Sequence, residues 1–328
     1  MDYACPDLRD RLPFFACLLS AVAATAALSG CGQSRKVAIP SSTQSGDYDG
    51  DGKADLVVFR PTDLRWYTLP FGRGLTNGTS AQFGLNGDVP VPGDYDGDGK
   101  NDRAVFRRGP TLASWFILLS STETLITREL GLSADLPVPG DYDGDRKTDL
   151  AVYRPSDGTW SVLESSRKDA PAVTVSLGLI TDIPAPADFD RDGKTDAAVF
   201  RPSTGMWHIL ASSGATIPQR QWGVSGDVPV PGDYDGDGWA DLAVYRPSNS
   251  TWYLLKSSTH FKASAPIQWG LENDIPVPAD YDGDGTTDLA LFRPSSGTWY
   301  ILTSASDFTT ADTRQWGLPN DIPILRRP

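Results

Sequence analysis

Asp47-Tyr48-Asp49-Gly50-Asp51-Gly52-Lys53-Ala54-Asp55 is the first of six copies of one nine-residue phrase. The others begin at Asp94, Asp141, Asp188, Asp233 and Asp280, so successive starts lie 47, 47, 47, 45 and 47 residues apart. A fixed period of this length is the mark of a propeller, solenoid or array. Each copy places Asp at relative positions 1, 3, 5 and 9. These are Asp47, Asp49, Asp51 and Asp55; Asp94, Asp96, Asp98 and Asp102; Asp141, Asp143, Asp145 and Asp149. The later three are Asp188, Asp190, Asp192 and Asp196; Asp233, Asp235, Asp237 and Asp241; Asp280, Asp282, Asp284 and Asp288. Glycine follows position 5 in every copy except the third, which has Arg146.

Hard oxygen ligands at alternate positions of a tight loop are what Ca²⁺ requires. Asp and Gly are also ordinary turn residues, and one such phrase alone reads as a hairpin turn. A turn, however, has no use for four carboxylates that repel one another and must be desolvated together. Six copies therefore point to about six bound Ca²⁺, one per loop. A helix–loop–helix calcium hand is disfavoured, because position 12 is Val58, Val105, Val152, Val199, Val244 or Leu291, and none can supply a bidentate carboxylate.

The rest of the repeat reads as short strands. In the sixth copy Asp274-Ile275-Pro276-Val277-Pro278 is extended, since proline excludes a helix interior. After the acidic loop, Leu289-Ala290-Leu291-Phe292-Arg293 is long enough for a strand buried on both faces and too short for a helix. Pro294-Ser295-Ser296-Gly297 supplies a turn, Trp299-Tyr300-Ile301-Leu302 a further strand, and Arg314-Gln315-Trp316-Gly317-Leu318 another. Four short strands in about 47 residues predict one blade of an all-β propeller. Six blades are expected, with seven possible if an irregular blade begins near Val37. A spare Asp-Ile-Pro phrase at Asp321 is expected to complete the first blade and remove an open sheet edge.

Gly-Asp-Tyr-Asp-Gly-Asp-Gly-Lys-x-Asp, followed by Leu-Ala-Val-Tyr-Arg-Pro and Gly-Thr-Trp, resembles the FG-GAP/VCBS repeat family. The resemblance covers residues 46–328 and implies a calcium-bearing propeller like the head of integrin α chains. It also implies that the position-7 carbonyl ligates the ion, here from Lys53, Lys100, Lys147, Lys194, Trp239 and Thr286. Function is left open, because the family includes adhesins, polysaccharide-active enzymes and surface proteins without assigned activity.

The first 30 residues have the layout of a secretory signal: Arg9 and Arg11, an uncharged apolar run over residues 12–28, then small residues. Leu28-Ser29-Gly30-Cys31 resembles the bacterial lipobox, which would leave Cys31 as a lipid-carrying N-terminus and residues 31–45 as a tether. Asp2, Asp7 and Asp10 dilute the positive start, and the bland alternative is an uncleaved membrane anchor. Either reading places the domain outside the cytoplasm. Cys31 would be the one cysteine of the mature chain, so no intramolecular disulfide staples it. Loss of residues 1–30 leaves 29 − 2 = 27 basic and 42 − 3 = 39 acidic residues, a net charge of −12. The loops hold 6 × 4 = 24 of those carboxylates, and six Ca²⁺ would neutralise the total. Nucleic-acid binding is accordingly not expected.

An Arg closes the strand after each loop (Arg60, Arg107, Arg154, Arg201, Arg246, Arg293), and a Trp follows (Trp66, Trp115, Trp160, Trp207, Trp252, Trp299). A sugar-stacking ring is one reading; an Arg over an indole or paired with a loop Asp, locking each blade, is the favoured one. Trp222, Trp269 and Trp316 alternate with Phe83, Leu130 and Leu177, which points to core packing. No catalytic residues stand out: His208 and His260 lie outside recurring phrases and read as surface or blade-edge residues. The expectation is a monomeric surface lipoprotein that binds a protein or glycan ligand on a propeller face, touching membrane only through its lipid. A lectin gripping sugar with aromatics of each blade is the alternative. An enzyme on polysaccharide is another, with Glu129, Glu164 and Glu272 as single carboxylate candidates.

Overall fold

The computed structural model describes residues 46–72, 77–167 and 170–324; the signal, Cys31 and the tether lie outside them. The described residues form six antiparallel sheets, and their helix is limited to 3-10 turns at Ser165–Arg167 and Ser304–Ser306. The second blade shows the plan, with strands Val89–Pro90, Arg103–Arg107, Leu112–Leu118 and Leu125–Leu132 paired in sequence order. Its first strand is only two residues long, because Pro90 and Pro92 have no N–H to extend the ladder. Its second strand is apolar because both faces are covered: Ala104, Val105 and Phe106 are at most 1% exposed. The fourth is largely exposed and forms the outer rim.

The first blade borrows its first strand from the far end of the chain. Ile322–Pro323 pairs with Leu56–Arg60, setting Pro323 opposite Val58 and Ile322 opposite Phe59. Apolar clusters then occupy every junction between blades. Phe59 and Trp66 meet Val105, and Phe106 and Trp115 meet Val152. Tyr153 and Trp160 meet Val199; Phe200 and Trp207 meet Val244; Tyr245 and Trp252 meet Leu291. Phe292 and Trp299 meet Val58, which brings the sixth blade directly onto the first. That contact excludes the seven-blade alternative.

The six recurrent tryptophans are 0% exposed, with centroids 5.2–6.2 Å from the aromatic ring of the preceding strand. They are blade core, so the sugar-stacking ring they suggested does not exist. Trp222 and Trp316 are half-buried and donate their indole N–H to Tyr253 and Tyr67 of the following blade, 3.1 and 3.2 Å away.

The recurrent arginines differ from expectation in both partners. Each guanidinium forms a two-pronged pair with the Asp that opens the Asp-x-Pro strand, not with an acidic-loop Asp. The pairs are Arg60–Asp321, Arg107–Asp88, Arg154–Asp135, Arg201–Asp182, Arg246–Asp227 and Arg293–Asp274, at 2.7–2.9 Å. The flat face lies over the residue after the Trp rather than the indole: Tyr67, Phe116, Tyr253 and Tyr300, at 4.0–4.3 Å. Ser161 and His208 fill that register in the third and fourth blades. The carboxylates of these pairs are at most 2% exposed, so each depends on its arginine for compensation. Arg246→Met should therefore destabilise the propeller by about 3–5 kcal/mol, read from urea unfolding. A loss below about 1 kcal/mol would show that the pair behaves as an exposed surface bridge.

Candidate metal centres

Each acidic loop lies between the first and second strands of a blade, at the end opposite the Arg–Asp pair. The loop is folded by its own first carboxylate. In the first copy Asp47 accepts the N–H of Gly50 at 2.6 Å and of Gly52 at 2.7 Å. Both glycines are left-handed, at φ 81° and 84°, which favours residues without a Cβ. Position 9 ties the loop to the blade. Asp55 accepts the N–H of Tyr48 at 2.8 Å and of Phe71 at 3.0 Å. In the other blades the second donor is the N–H of Ser120, Ser165, Ser212, Ser257 or Ser304, at 2.6–2.7 Å.

The result is convergence of oxygen. Carboxylate atoms from positions 1, 3 and 9 lie within 4.8 Å of one another in Asp47/Asp49/Asp55, Asp94/Asp96/Asp102, Asp141/Asp143/Asp149, Asp188/Asp190/Asp196 and Asp233/Asp235/Asp241. Such triads could hold a metal ion. The position-5 carboxylates serve differently: Asp98, Asp145, Asp192 and Asp237 accept the position-7 N–H and a serine hydroxyl.

Those serines come from doublets that sequence reading passed over. Ser120 and Ser121 donate to Asp98 and Asp96, Ser165 and Ser166 to Asp145 and Asp143. Ser212 and Ser213 donate to Asp192 and Asp190, Ser257 and Ser258 to Asp237 and Asp235. The doublets recur with the repeat, yet serine is so common in loops that recurrence alone did not mark them. The first blade has Phe71-Gly72 instead.

Neighbouring loops are joined as well. The position-8 N–H of each loop donates to the position-1 carbonyl of the loop before: Asn101 to Asp47, Thr148 to Asp94, Thr195 to Asp141, Ala240 to Asp188, Thr287 to Asp233. Ala54 donates to Asp280 and closes the circle, all six bonds measuring 2.6–2.8 Å. Small residues permit this approach. A Cβ on Gly93 would come 2.5 Å from Thr148, and one on Gly140 2.7 Å from Thr195. Where the residue before the loop is Ala187 or Ala279, the facing position is cut back to Ala240 or Ala54. Lysines at position 7 also cross to the preceding loop: Lys100, Lys147 and Lys194 run along Gly50, Gly97 and Gly144. Lys53 reaches the Asp282 carbonyl at 2.7 Å.

Burial pushes the position-9 carboxyls far up, Asp102 to about 6 and Asp55, Asp149, Asp196, Asp241 and Asp288 to about 7. Asp94, Asp141, Asp188, Asp233 and Asp280 are raised for the same reason. Loss of hydration is the main cause, with repulsion from neighbouring loop carboxylates adding to it. An all-oxygen donor set fits a hard divalent ion.

The candidates for catalysis are scattered. Glu129 is exposed on an outer strand, Glu164 pairs with Arg167 at 2.9 Å, and exposed Glu272 edges a cleft beside the Asp274–Arg293 pair. His260 is exposed with a left-handed backbone at φ 59°, in line with a surface role. His208 departs from it. It is half-buried on a third strand, and its Nε2 is buried without a hydrogen-bond partner. Burial, then Arg201, lowers its pKa.

An FG-GAP-like repeat family matches residues 47–105 and 233–291, each span running from an acidic loop through the next loop or strand. Those two spans carry FG-GAP-like repeats. No curated protein matches it. Among solved structures, a lectin from Agrocybe aegerita that recognises non-reducing terminal N-acetylglucosamine is similar at 14% identity and TM-score 0.51, over 80% of this chain and 77% of that one. BBS1N in complex with ARL6DN matches at 12% identity and TM-score 0.48, over 80% and 78%. At these identities the likeness is one of fold.

A pH dependence follows for the acidic loops without metal. Unfolded, the position-9 carboxyls titrate near pH 4; folded, they titrate at about 6–7. Between these values the folded chain holds more protons, so stability falls as pH rises from about 4 to about 7. In excess chelator the melting temperature should be higher at pH 5 than at pH 7.5. The opposite order would mean that these carboxyls are not held in the way described.

Proposed function

We propose that this chain is a calcium-stabilised binding propeller, displayed outside the cytoplasm as a monomer on a lipid at Cys31, that holds a protein or glycan ligand on one face. The observation that carries the reading is how the repeated side chains are used. The Trp fills blade cores, the Arg neutralises buried Asp, and the loop carboxylates converge on one another. What remains for function is the surface they support, which is the plan of a binding module. In each loop Ca²⁺ is assigned to the Asp at positions 1, 3, 5 and 9 and to the position-7 carbonyl. Its part is structural, because a bound divalent ion keeps these carboxylates ionised and unavailable as general acids.

Calcium at about twenty times its Kd would stabilise the fold by roughly 1.8 kcal/mol per site. Six independent sites would give about 11 kcal/mol, comparable with a typical net stability of about 5–15 kcal/mol. Calorimetric titration of chelator-treated chain should therefore find close to six equivalents and a large rise in melting temperature. Substoichiometric binding with no stabilisation would reduce the loops to hairpin turns.

A glycan ligand has a precedent on this fold, in the Agrocybe aegerita lectin. Screening the calcium-loaded chain on glycan and extracellular-protein arrays should give a defined ligand that is bound and left intact. Turnover of a polysaccharide would favour the enzyme reading, and blank arrays would count against a binding module.

A further inference from the structure

The metal face departs most from its repeat over the third, fourth and fifth loops. There Arg146 takes a position that is glycine in every other loop, Arg191 takes another, and Trp239 stands where four loops have lysine. In a repeat protein the architecture is served by what recurs, so residues that break the repeat without a structural return point elsewhere. These three break it at a cost in backbone strain or without an ion pair among the described residues. Arg146 and Arg191 hold left-handed backbone, φ 68° and 61°, which side chains with a Cβ adopt only with strain. Both are exposed, and neither guanidinium has an ion pair or side-chain hydrogen bond among the described residues. A Cβ at three of the glycines matching Arg146 (Gly52, Gly99, Gly193) meets nothing within 4 Å, and one at Gly238 meets only Arg191, whose counterpart before Arg146 is Gly97, so the exposed Arg146 side chain faces solvent.

Trp239 is 38% exposed, whereas the other nine tryptophans of the chain are buried or half-buried. Arg191 lies against Gly238, its Nε 2.9 Å from where a Cβ would be, next to Trp239 in the chain. At this junction the usual exchange is inverted: at four of the other five a lysine of the later loop crosses to a glycine of the earlier one, and at the fifth Thr286 faces Gly236. Here the cation belongs to the earlier loop, and the later loop is free to present an aromatic face.

Two arginines suit carboxylates, which the planar guanidinium binds through paired hydrogen bonds. An exposed indole suits the apolar face of a sugar ring, with its N–H available to a hydroxyl. Set on three consecutive loops, they match an extended chain better than a compact ligand. We infer that this sector of the metal face binds a uronate-bearing polysaccharide, with carboxylates on Arg146 and Arg191 and a sugar ring on Trp239. The inference rests on the glycan-binding reading above and names its ligand class.

The test titrates the calcium-loaded full chain with hyaluronan and chondroitin oligosaccharides, using dextran as a neutral sugar and a DNA oligonucleotide as a polyanion without sugar carboxylates. At least one uronate oligosaccharide should bind, about tenfold or more tighter than either control. Trp239→Ala leaves the backbone carbonyl in place and should weaken that binding about tenfold. The pair Arg146→Gly and Arg191→Gly restores the repeat; it should weaken binding at least as much while melting no lower than the parent, because strain is relieved. Binding unchanged in both variants would overturn the site, and DNA binding as tight as the sugars would overturn the ligand class. No uronate binding, with glycan-array ligands retained, would sink this inference alone. Blank results in both assays would sink the binding module with it.

Discussion

A circle of backbone hydrogen bonds runs through the six acidic loops, each position-8 amide donating to the position-1 carbonyl of the loop before. Much of the molecule depends on that circle. The same Asp that offers its carbonyl to the next blade uses its carboxylate to fold its own loop. Position 9, the residue after the donating amide, ties the loop to its own second residue and to the segment that follows the blade's third strand. Loop conformation and blade-to-blade register are therefore one property. The constraint also explains the small residues before each loop, where added volume would push adjacent blades apart.

Charge is what the circle must withstand. The loops set carboxylates within 4.8 Å of one another, and burial drives the position-9 groups toward neutrality near pH 7. Lysines that cross between loops relieve part of this repulsion, and in our reading calcium relieves the rest. The opposite end of each blade solves its electrostatics internally, because each buried Asp there has its own arginine. One face thus invites cations while the other is already balanced. In the same reading, a described domain without cysteine would gain a second means of cohesion from such ions.

The blades, their number and the borrowed closing strand were legible because the acidic phrase has a fixed period and the Asp-x-Pro phrase, missing before the first loop, recurs once after the last. Tryptophan as core was legible for the same reason. The arginine partner was not. Two sets of Asp recur with the repeat, and only topology shows that Arg107 meets Asp88, 19 residues back, while Arg60 meets Asp321, 261 residues on. The serine doublets were hidden by the ordinariness of serine in loops. The exchange between position 7 of one loop and position 4 of the one before was hidden too, since it joins residues about a full repeat apart. Without that exchange, Arg191 and Trp239 look like unrelated irregularities.

The central claim is that metal occupancy and blade-to-blade cohesion are one equilibrium, carried by the circle of amides. Hydrogen exchange at Ala54, Asn101, Thr148, Thr195, Ala240 and Thr287, measured in calcium and in chelator, tests it most directly. All six amides should be strongly protected with calcium and should lose protection together when it is removed. Protection that is indifferent to calcium, or lost loop by loop, would contradict the claim and leave the apolar junctions as the sole source of closure.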